Sequence, residues 1–415
     1  MPVETRRRFP ASEPPGPQGR VVAAARPPGR DGDVSHFPAD GSGKSKKKTK
    51  RRKDPLWARL VTVFGAVLMM SSGVAIVGAK AVISEATSTI EKKNLIDEAG
   101  KSDAEGGDSL EGPIDLLLLG VDYRVRNGKD DVRADTIIIL HIPASHDQAY
   151  LISIPRDTEL EVKPFEKSGF EGGMMKATDV FHAGSWNGAG WAGGTQLLSR
   201  TLMEVTGVKF DGAAIIDFGG FKKVIDALDG IPICVKQEVQ SIHMELVDGK
   251  PKWKADARQM TGVKEPVIHK KGCREMQGWE ALDYSRQRYG LDNGDYDRQQ
   301  NQQQLIKGIA KKAMEQGVMT NPVKLRRLIQ AAGEAFTLDL GNHEIADFLL
   351  SVRNVAANDL VLLRSNGGKF NPKFVNGEER EALAPITLEM FKALKEDRLG
   401  EFIINNPEVL AQSGN

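Results

Sequence analysis

The chain has 415 residues, with 57 Lys and Arg against 56 Asp and Glu and a formal net charge of +1. That length holds one large domain with appendages or two medium domains, and that charge balance excludes a chain-wide polyanion binder. Only two cysteines occur, Cys234 and Cys273, too few to build a structural zinc site by themselves.

Residues 1–55 are rich in Pro, Gly, Arg, Lys and Asp and carry no apolar periodicity. They cannot bury enough surface to offset chain entropy, which predicts a disordered basic tail. Leu60 to Ala79 contains no charge. About 20 residues at 1.5 Å each span the roughly 30 Å of a hydrocarbon core, so a transmembrane anchor is expected over residues 56–83. The basic run Lys44 to Lys53 should stay in the cytoplasm, which makes the chain single-pass in the cell membrane with its bulk outside. A cleaved signal peptide ending near Ala79-Lys80-Ala81 is the rival reading and gives the same outward topology. The basic run reads as a topology signal with affinity for anionic membrane lipids. A nucleic-acid partner is not expected, because no helix-turn-helix, aromatic platform or finger pattern accompanies the charge.

Residues 84–112 are polar, acidic and Gly-rich towards their end, as in a stalk and linker. The folded domain is expected from 113 to 415. Ile114 to Val121, Thr136 to Ile142 and Ala149 to Ile154 are apolar runs of strand length. Thr195 to Thr206 reads as a helix stopped by Gly207. Ala213 to Asp217 reads as a strand, and Phe218 to Leu228 has helical spacing ended by Gly230. Ile231 to Val235 is a short strand, Asp297 to Gln316 a long helix and Leu360 to Leu363 a further strand. Alternating strands and helices predict a layered α/β domain.

Charged residues collect at the ends of these elements. Asp122 and Arg124 follow the first strand, while Arg133 and Asp135 precede the second. If the two strands pair as a hairpin, both aspartates meet at one end of the sheet, as a hard-oxygen site for Mg²⁺ or as turn and capping residues. Arg156 and Asp157 end the third strand. Arg286 and Arg288 share a face if their backbone is extended. Arg298 and Gln302 are four apart on the long helix, and Asp295 stands before its positive end. Guanidinium forks bind phosphate oxygens bidentately, so arginines repeated in this way suggest an anion with more than one phosphate. Asp217-Phe218-Gly219 reads as a strand-to-helix turn, and His182 is either a general base or a structural histidine. No nucleophile-elbow, phosphate-loop or zinc-protease motif competes.

Several ordered stretches resemble the LytR-CpsA-Psr family of envelope transferases over about Pro113 to Glu408. They are Leu118 to Arg124, Arg133 to Thr136, Ser153 to Thr158, Lys176 to Thr178, Asp217 to Phe221 and the block from Gly278 to Gln304. The two cysteines resemble those of actinobacterial members. The resemblance implies a three-layer α-β-α domain with a central mixed sheet and a long apolar pocket for a polyprenyl chain. It implies that Asp122 and Asp135 bind Mg²⁺. It also implies that Arg124, Arg133, Arg156, Lys176, Arg286, Arg288, Arg298 and Gln302 bind pyrophosphate, with Arg156, Arg286, Arg288 and Asp295 catalytic. The chain departs from the family pattern at 177–194, where a longer Gly- and Trp-rich loop occurs, and Val247 to Lys271 looks like a variable insertion.

The function so implied is transfer of a glycopolymer from a polyprenyl-pyrophosphate donor to a peptidoglycan acceptor, with Asp122 or Asp295 taking the proton. A polyprenyl-pyrophosphate phosphatase, a transferase to protein, or a non-catalytic regulatory protein are the alternatives. Outside the cell Cys234 and Cys273 are expected to form a disulfide, the other possibility being two buried thiols.

Overall fold

The computed structural model describes residues 91–97, 112–122, 132–318, 321–333, 336–341, 360–375 and 377–411, with isolated positions between 341 and 360. All of them belong to one unit, Phe64–Asn415. The basic tail, the expected anchor at 56–83 and Arg124 lie outside the described residues. No helix among the described residues is long and apolar enough to cross a membrane.

The strands are β1 (Glu91–Lys92), β2 (Ile114–Val121), β3 (Ala134–Ile142), β4 (Ala149–Ser153), β5 (Glu159–Val162), β6 (Gly173–Lys176), β7 (Gly212–Asp217) and β8 (Ile231–Val235). They continue with β9 (Val239–Val247), β10 (Lys250–Trp253), β11 (Lys264–His269), β12 (Gly272–Met276), β13 (Phe336–Asp339), β14 (Leu360–Arg364), β15 (Pro372–Val375) and β16 (Glu378–Glu381). The helices are α1 (Ala177–Gly184), α2 (Gly190–Thr206), α3 (Phe218–Ala227), α4 (Lys254–Ala257), α5 (Gly278–Ser285), α6 (Asp295–Glu315), α7 (Pro322–Ala332), α8 (Pro385–Lys395) and α9 (Leu399–Asn405).

A seven-stranded sheet of order β1-β13-β7-β2-β3-β4-β14 forms the centre. It is mixed: β2 runs antiparallel to β3 and parallel to β7. Period-2 alternation sends Leu117, Leu119, Ile137 and Ile139 into one core with α1, α2 and α8. Ile114, Leu116 and Ala214 enter a second core with α3, α5, α6 and α7. Helices therefore cover both faces, and the continuous apolar runs of β2 and β3 follow from that double burial.

Local signals behave as their chemistry demands. Gly207 ends α2 in the left-handed conformation, at φ 71°. Asp217 caps α3 by accepting from Gly220 N at 2.7 Å, so Asp217-Phe218-Gly219 is indeed a strand-to-helix turn. Residues 91–97, within the stretch read as stalk, instead join the body. Glu91 and Lys92 pair with β13, Leu95 and Ile96 are buried, and their backbone N–H groups both donate to Asp339 Oδ2. Cys234 and Cys273 face each other in register across β8 and β12 and are joined by a disulfide.

Candidate active site

The site begins with a fault in the pairing of β2 and β3. Gly120 pairs with Thr136, but Val121 pairs with Ala134, so Asp135 is an extra residue in β3. Such a bulge turns a side chain out of strict alternation. The Asp135 carboxylate and that of Asp122, just past the end of β2, consequently line one polar cavity of about 220 Å³. Only glycine fits at position 120, since a Cβ there would stand 2.9 Å from both Cβ and Oγ1 of Thr136.

Four arginines complete the cavity: Arg156, Arg286, Arg288 and Arg298. Arg156 Nη1 donates to Asp135 Oδ1 at 2.7 Å, and Arg286 Nη2 to Asp122 Oδ2 at 3.0 Å. Burial works against the Arg156 charge, yet Asp135, Asp157 and Asp295 outweigh it and raise its pKa. The Arg286 guanidinium lies 4.2 Å from the Phe218 ring centroid and 5.4 Å from that of Trp253. Arg298, only 6% exposed, donates Nη1 to the Asp135 carbonyl at 2.9 Å. Its Nε and Nη2 reach Asp295 Oδ1 at 2.9 and 2.8 Å, while Gln299 Nε2 donates to Asp295 Oδ2 at 3.0 Å. Burial raises the Asp295 pKa, but Arg298, these hydrogen bonds and Arg156 bring it below the ordinary carboxylate value.

Along the same strands follows an apolar cavity of about 310 Å³. Leu118, Gly120, Thr136, Ile138, Ala214 and Ile216 form its sheet wall, and Phe221, Val224, Ile306, Ile309, Leu328 and Ile329 close it from α3, α6 and α7. Going outward, β2 passes from Leu118 and Gly120 to Asp122, and β3 backward from Ile138 and Thr136 to Asp135. Each strand thus links an apolar chamber to a charged one.

Not every candidate from the sequence joins this centre. Arg133 is half-exposed and donates Nε to Asp179 Oδ1 at 2.9 Å, and Lys176 Nζ donates to Asp157 Oδ1 at 3.0 Å. Neither lines the polar cavity, and nor does Gln302, which is buried on α6. Asp295 is the first residue of α6 rather than a residue before it, and it does not line the cavity itself but acts on Arg298 and Arg156, which do. Arg286 is not extended: it caps α5 in the right-handed helical region, and both it and Arg288 still line the cavity. His182 sits on α1 beside Trp186 and outside the cavity.

Sequence reasoning missed Ile242, His243, Tyr289 and Phe218, all of which line it. Burial and the neighbouring Arg286 charge push His243 below its ordinary pKa. Ile242 and His243 come from β9, and Trp253 from β10, in and beside the stretch read as a variable insertion. No local signal marks a lone histidine on such a strand.

In this α/β body a cation-rich cavity and an apolar cavity are lined by successive residues of the same two strands. The chain belongs to the LytR_cpsA_psr family, whose model matches residues 79–393. It is 24% identical to the cell wall biosynthesis protein LcpA of Corynebacterium glutamicum, over 85% of this chain and 67% of that protein. It is 25% identical to the polyisoprenyl-teichoic acid–peptidoglycan teichoic acid transferase TagU of Bacillus subtilis, over 83% of this chain and 98% of that protein. The crystal structure of B. subtilis TagV shares the fold, with a TM-score of 0.50 and 20% identity over 70% of this chain and 98% of that one.

Proposed function

We propose that the chain is a phosphotransferase of the bacterial cell envelope, moving a glycopolymer from a polyprenyl-diphosphate carrier to peptidoglycan through a phosphodiester. The observation that carries this reading is the succession of the two chambers. The apolar one suits an isoprenoid tail, and four guanidiniums at its head suit a diphosphate. The name of the relative TagU supports the same donor and acceptor classes, and that of LcpA supports a role in cell wall biosynthesis.

Phosphoryl transfer asks a protein mainly for positioning and for neutralising charge. Arg156, Arg286, Arg288 and Arg298 grip the diphosphate oxygens while the tail stays in the apolar chamber. A peptidoglycan hydroxyl oxygen attacks the glycan-linked phosphorus, the bond from that phosphorus to the bridging oxygen breaks, and polyprenyl phosphate leaves carrying the negative charge that the arginines stabilise. Asp295 holds Arg298 in place rather than taking the proton, because both of its oxygens are occupied. Of the two candidates Asp122 and Asp295, Asp122 is the one that lines the chamber, and it takes the proton of the attacking hydroxyl.

Among the described residues no cluster of three or more His, Cys, Asp or Glu could hold a metal alone. Asp122 and Asp135 nevertheless fit Mg²⁺ shared with a diphosphate, since one or two carboxylates plus substrate phosphate is its usual donor set. When bound, the ion would neutralise phosphate charge. The uncharged run at 60–79 anchors the chain in the membrane with the catalytic body outside, where an oxidising milieu keeps Cys234 and Cys273 paired.

The test is transfer of a labelled glycan from a polyprenyl-diphosphate donor to peptidoglycan by purified full-length protein. Arg286→Ala and Arg288→Ala should each abolish transfer while circular dichroism stays unchanged. Transfer at the wild-type rate by both variants would defeat the assignment, and release of free glycan phosphate without labelled wall would favour a phosphatase.

A further inference from the structure

Strand β9 pairs with β11 at Glu245–Pro266 and again at Gln240–Ile268, so residues 241–244 face the single residue Val267. The segment bows away from its partner, and side chains take over its backbone donors. Gln287 Oε1 accepts from Ile242 N at 3.1 Å, and Ser241 Oγ accepts from His243 N at 3.1 Å and Met244 N at 2.9 Å. Ser241 Oγ donates to Asp283 Oδ1 at 2.9 Å, and Asp283 Oδ2 lies 2.7 Å from His269 Nε2. Ser241, Asp283, His269 and Gln287 are all buried. Lys254 Nζ donates to the Ser241 carbonyl at 2.8 Å. This buried polar base ties the bowed segment, and with it Trp253 just before Lys254, to the end of α5 from which Arg286 and Arg288 emerge.

Trp253 is 39% exposed and Tyr289 is 59% exposed, so both rings are open to a ligand. Trp253 stands beside Arg286. The Tyr289 ring centroid lies 4.8 Å from the Arg288 guanidinium carbon, and its hydroxyl accepts from Arg288 Nη2 at 2.6 Å. Each of these two cavity guanidiniums therefore has an exposed aromatic ring next to it.

We propose that Trp253 and Tyr289 form a platform for the pyranose rings attached to the diphosphate, so that the insertion carrying Trp253 selects the glycan. The inference rests on the diphosphate reading of the polar chamber. A pyranose offers a face of C–H groups rimmed by hydroxyls, which matches a flat ring with a polar handle. Trp and Tyr supply such contact at small entropic cost, and rings already held beside guanidiniums are preorganised. Continuity with the phosphate site identifies the occupant: Tyr289 lines the polar cavity and Trp253 stands beside Arg286 in its wall, next to whatever the diphosphate carries. A membrane surface is the competing partner for exposed Trp and Tyr.

The test compares two probes on the full-length protein in detergent: bare polyprenyl diphosphate, and the same lipid bearing one monosaccharide on its outer phosphate. Binding is measured for the wild type, Trp253→Leu, Tyr289→Leu and Trp253→Phe. The sugar-bearing probe should lose about tenfold in affinity on Trp253→Leu, the size of one good aromatic contact, while the bare lipid changes by less than about twofold. Tyr289→Leu, which also removes a partner of Arg288, should weaken the sugar-bearing probe about tenfold more than the bare lipid. Trp253→Phe should restore most of the loss. Equal losses for both probes, as for rings that only steady the arginines or touch lipid, would overturn the proposal, and so would no loss for either. Failure of the wild type to bind even the bare diphosphate would bring down the diphosphate reading itself, and this inference with it.

Discussion

Asp295→Asn separates holding an arginine from taking a proton. The amide keeps one acceptor oxygen but loses the charge, which leaves the buried Arg298 without its counter-ion. Breaking one side of a buried pair costs roughly 3–5 kcal/mol. The Asp295 side chain is 20% exposed, so water returns part of this, and about 2–3 kcal/mol is expected. The pH dependence has a definite sign. Asp295 has a folded pKa below its ordinary 3.8, so its stabilisation is complete above the unfolded value and is lost as pH falls through the folded one. Urea unfolding should therefore separate wild type and variant by that amount at pH 7, with the gap closing in acid. Donor binding should weaken too, because Arg298 loses the group that aims it at the Asp135 carbonyl. A gap that stays constant into acid would refute the electrostatic account. Unchanged donor affinity with abolished turnover would refute the holding role and make Asp295 the proton acceptor.

Ala214→Phe should push a ring into the apolar chamber. Displacing about three methylenes of a bound tail costs about 2 kcal/mol, or roughly thirtyfold in affinity, so titration calorimetry should find a long-chain donor weakened and a short-chain diphosphate unaffected. Glu381 is buried, accepts from Tyr296 Oη and Asn366 Nδ2, and has its pKa pushed up to about 7, with burial the largest cause. The folded state then binds the extra proton, so stability should fall by up to about 3 kcal/mol as pH rises from about 4.5 to 7. Glu381→Gln should flatten that slope in a series of melts, and an unchanged slope would exclude Glu381 as its source. Replacing Cys234 and Cys273 together by serine releases a cross-link 39 residues apart and should cost about 3–4 kcal/mol in denaturant unfolding.

Much of the α/β frame can be read along the chain because its causes are local. The apolar runs at 114–121 and 149–153, the stop at Gly207 and the cap at Asp217 depend on neighbours a few residues away. The same locality made Asp122, Asp135, Arg156, Arg286, Arg288 and Arg298 visible as charges at the ends of apolar elements. Arg133 looks identical by that criterion, yet its guanidinium turns to Asp179 on α1. Nothing within a few residues of Arg133 separates it from Arg156.

Composition and periodicity were enough to establish the layered sheet, its helix ends and a surplus of guanidinium at strand termini, because hydrophobic burial and capping act over a few residues. Only tertiary structure decided which of those charges converge. Arg286 meets Asp122 across 164 residues, and Arg298 meets the Asp135 carbonyl across 163. The bulge that frees Asp135 exists only in the register between two strands, and the bow that carries Ile242 and His243 inward exists only against β11 and α5. Register and close approach are properties of pairs of segments, and neither segment alone records them.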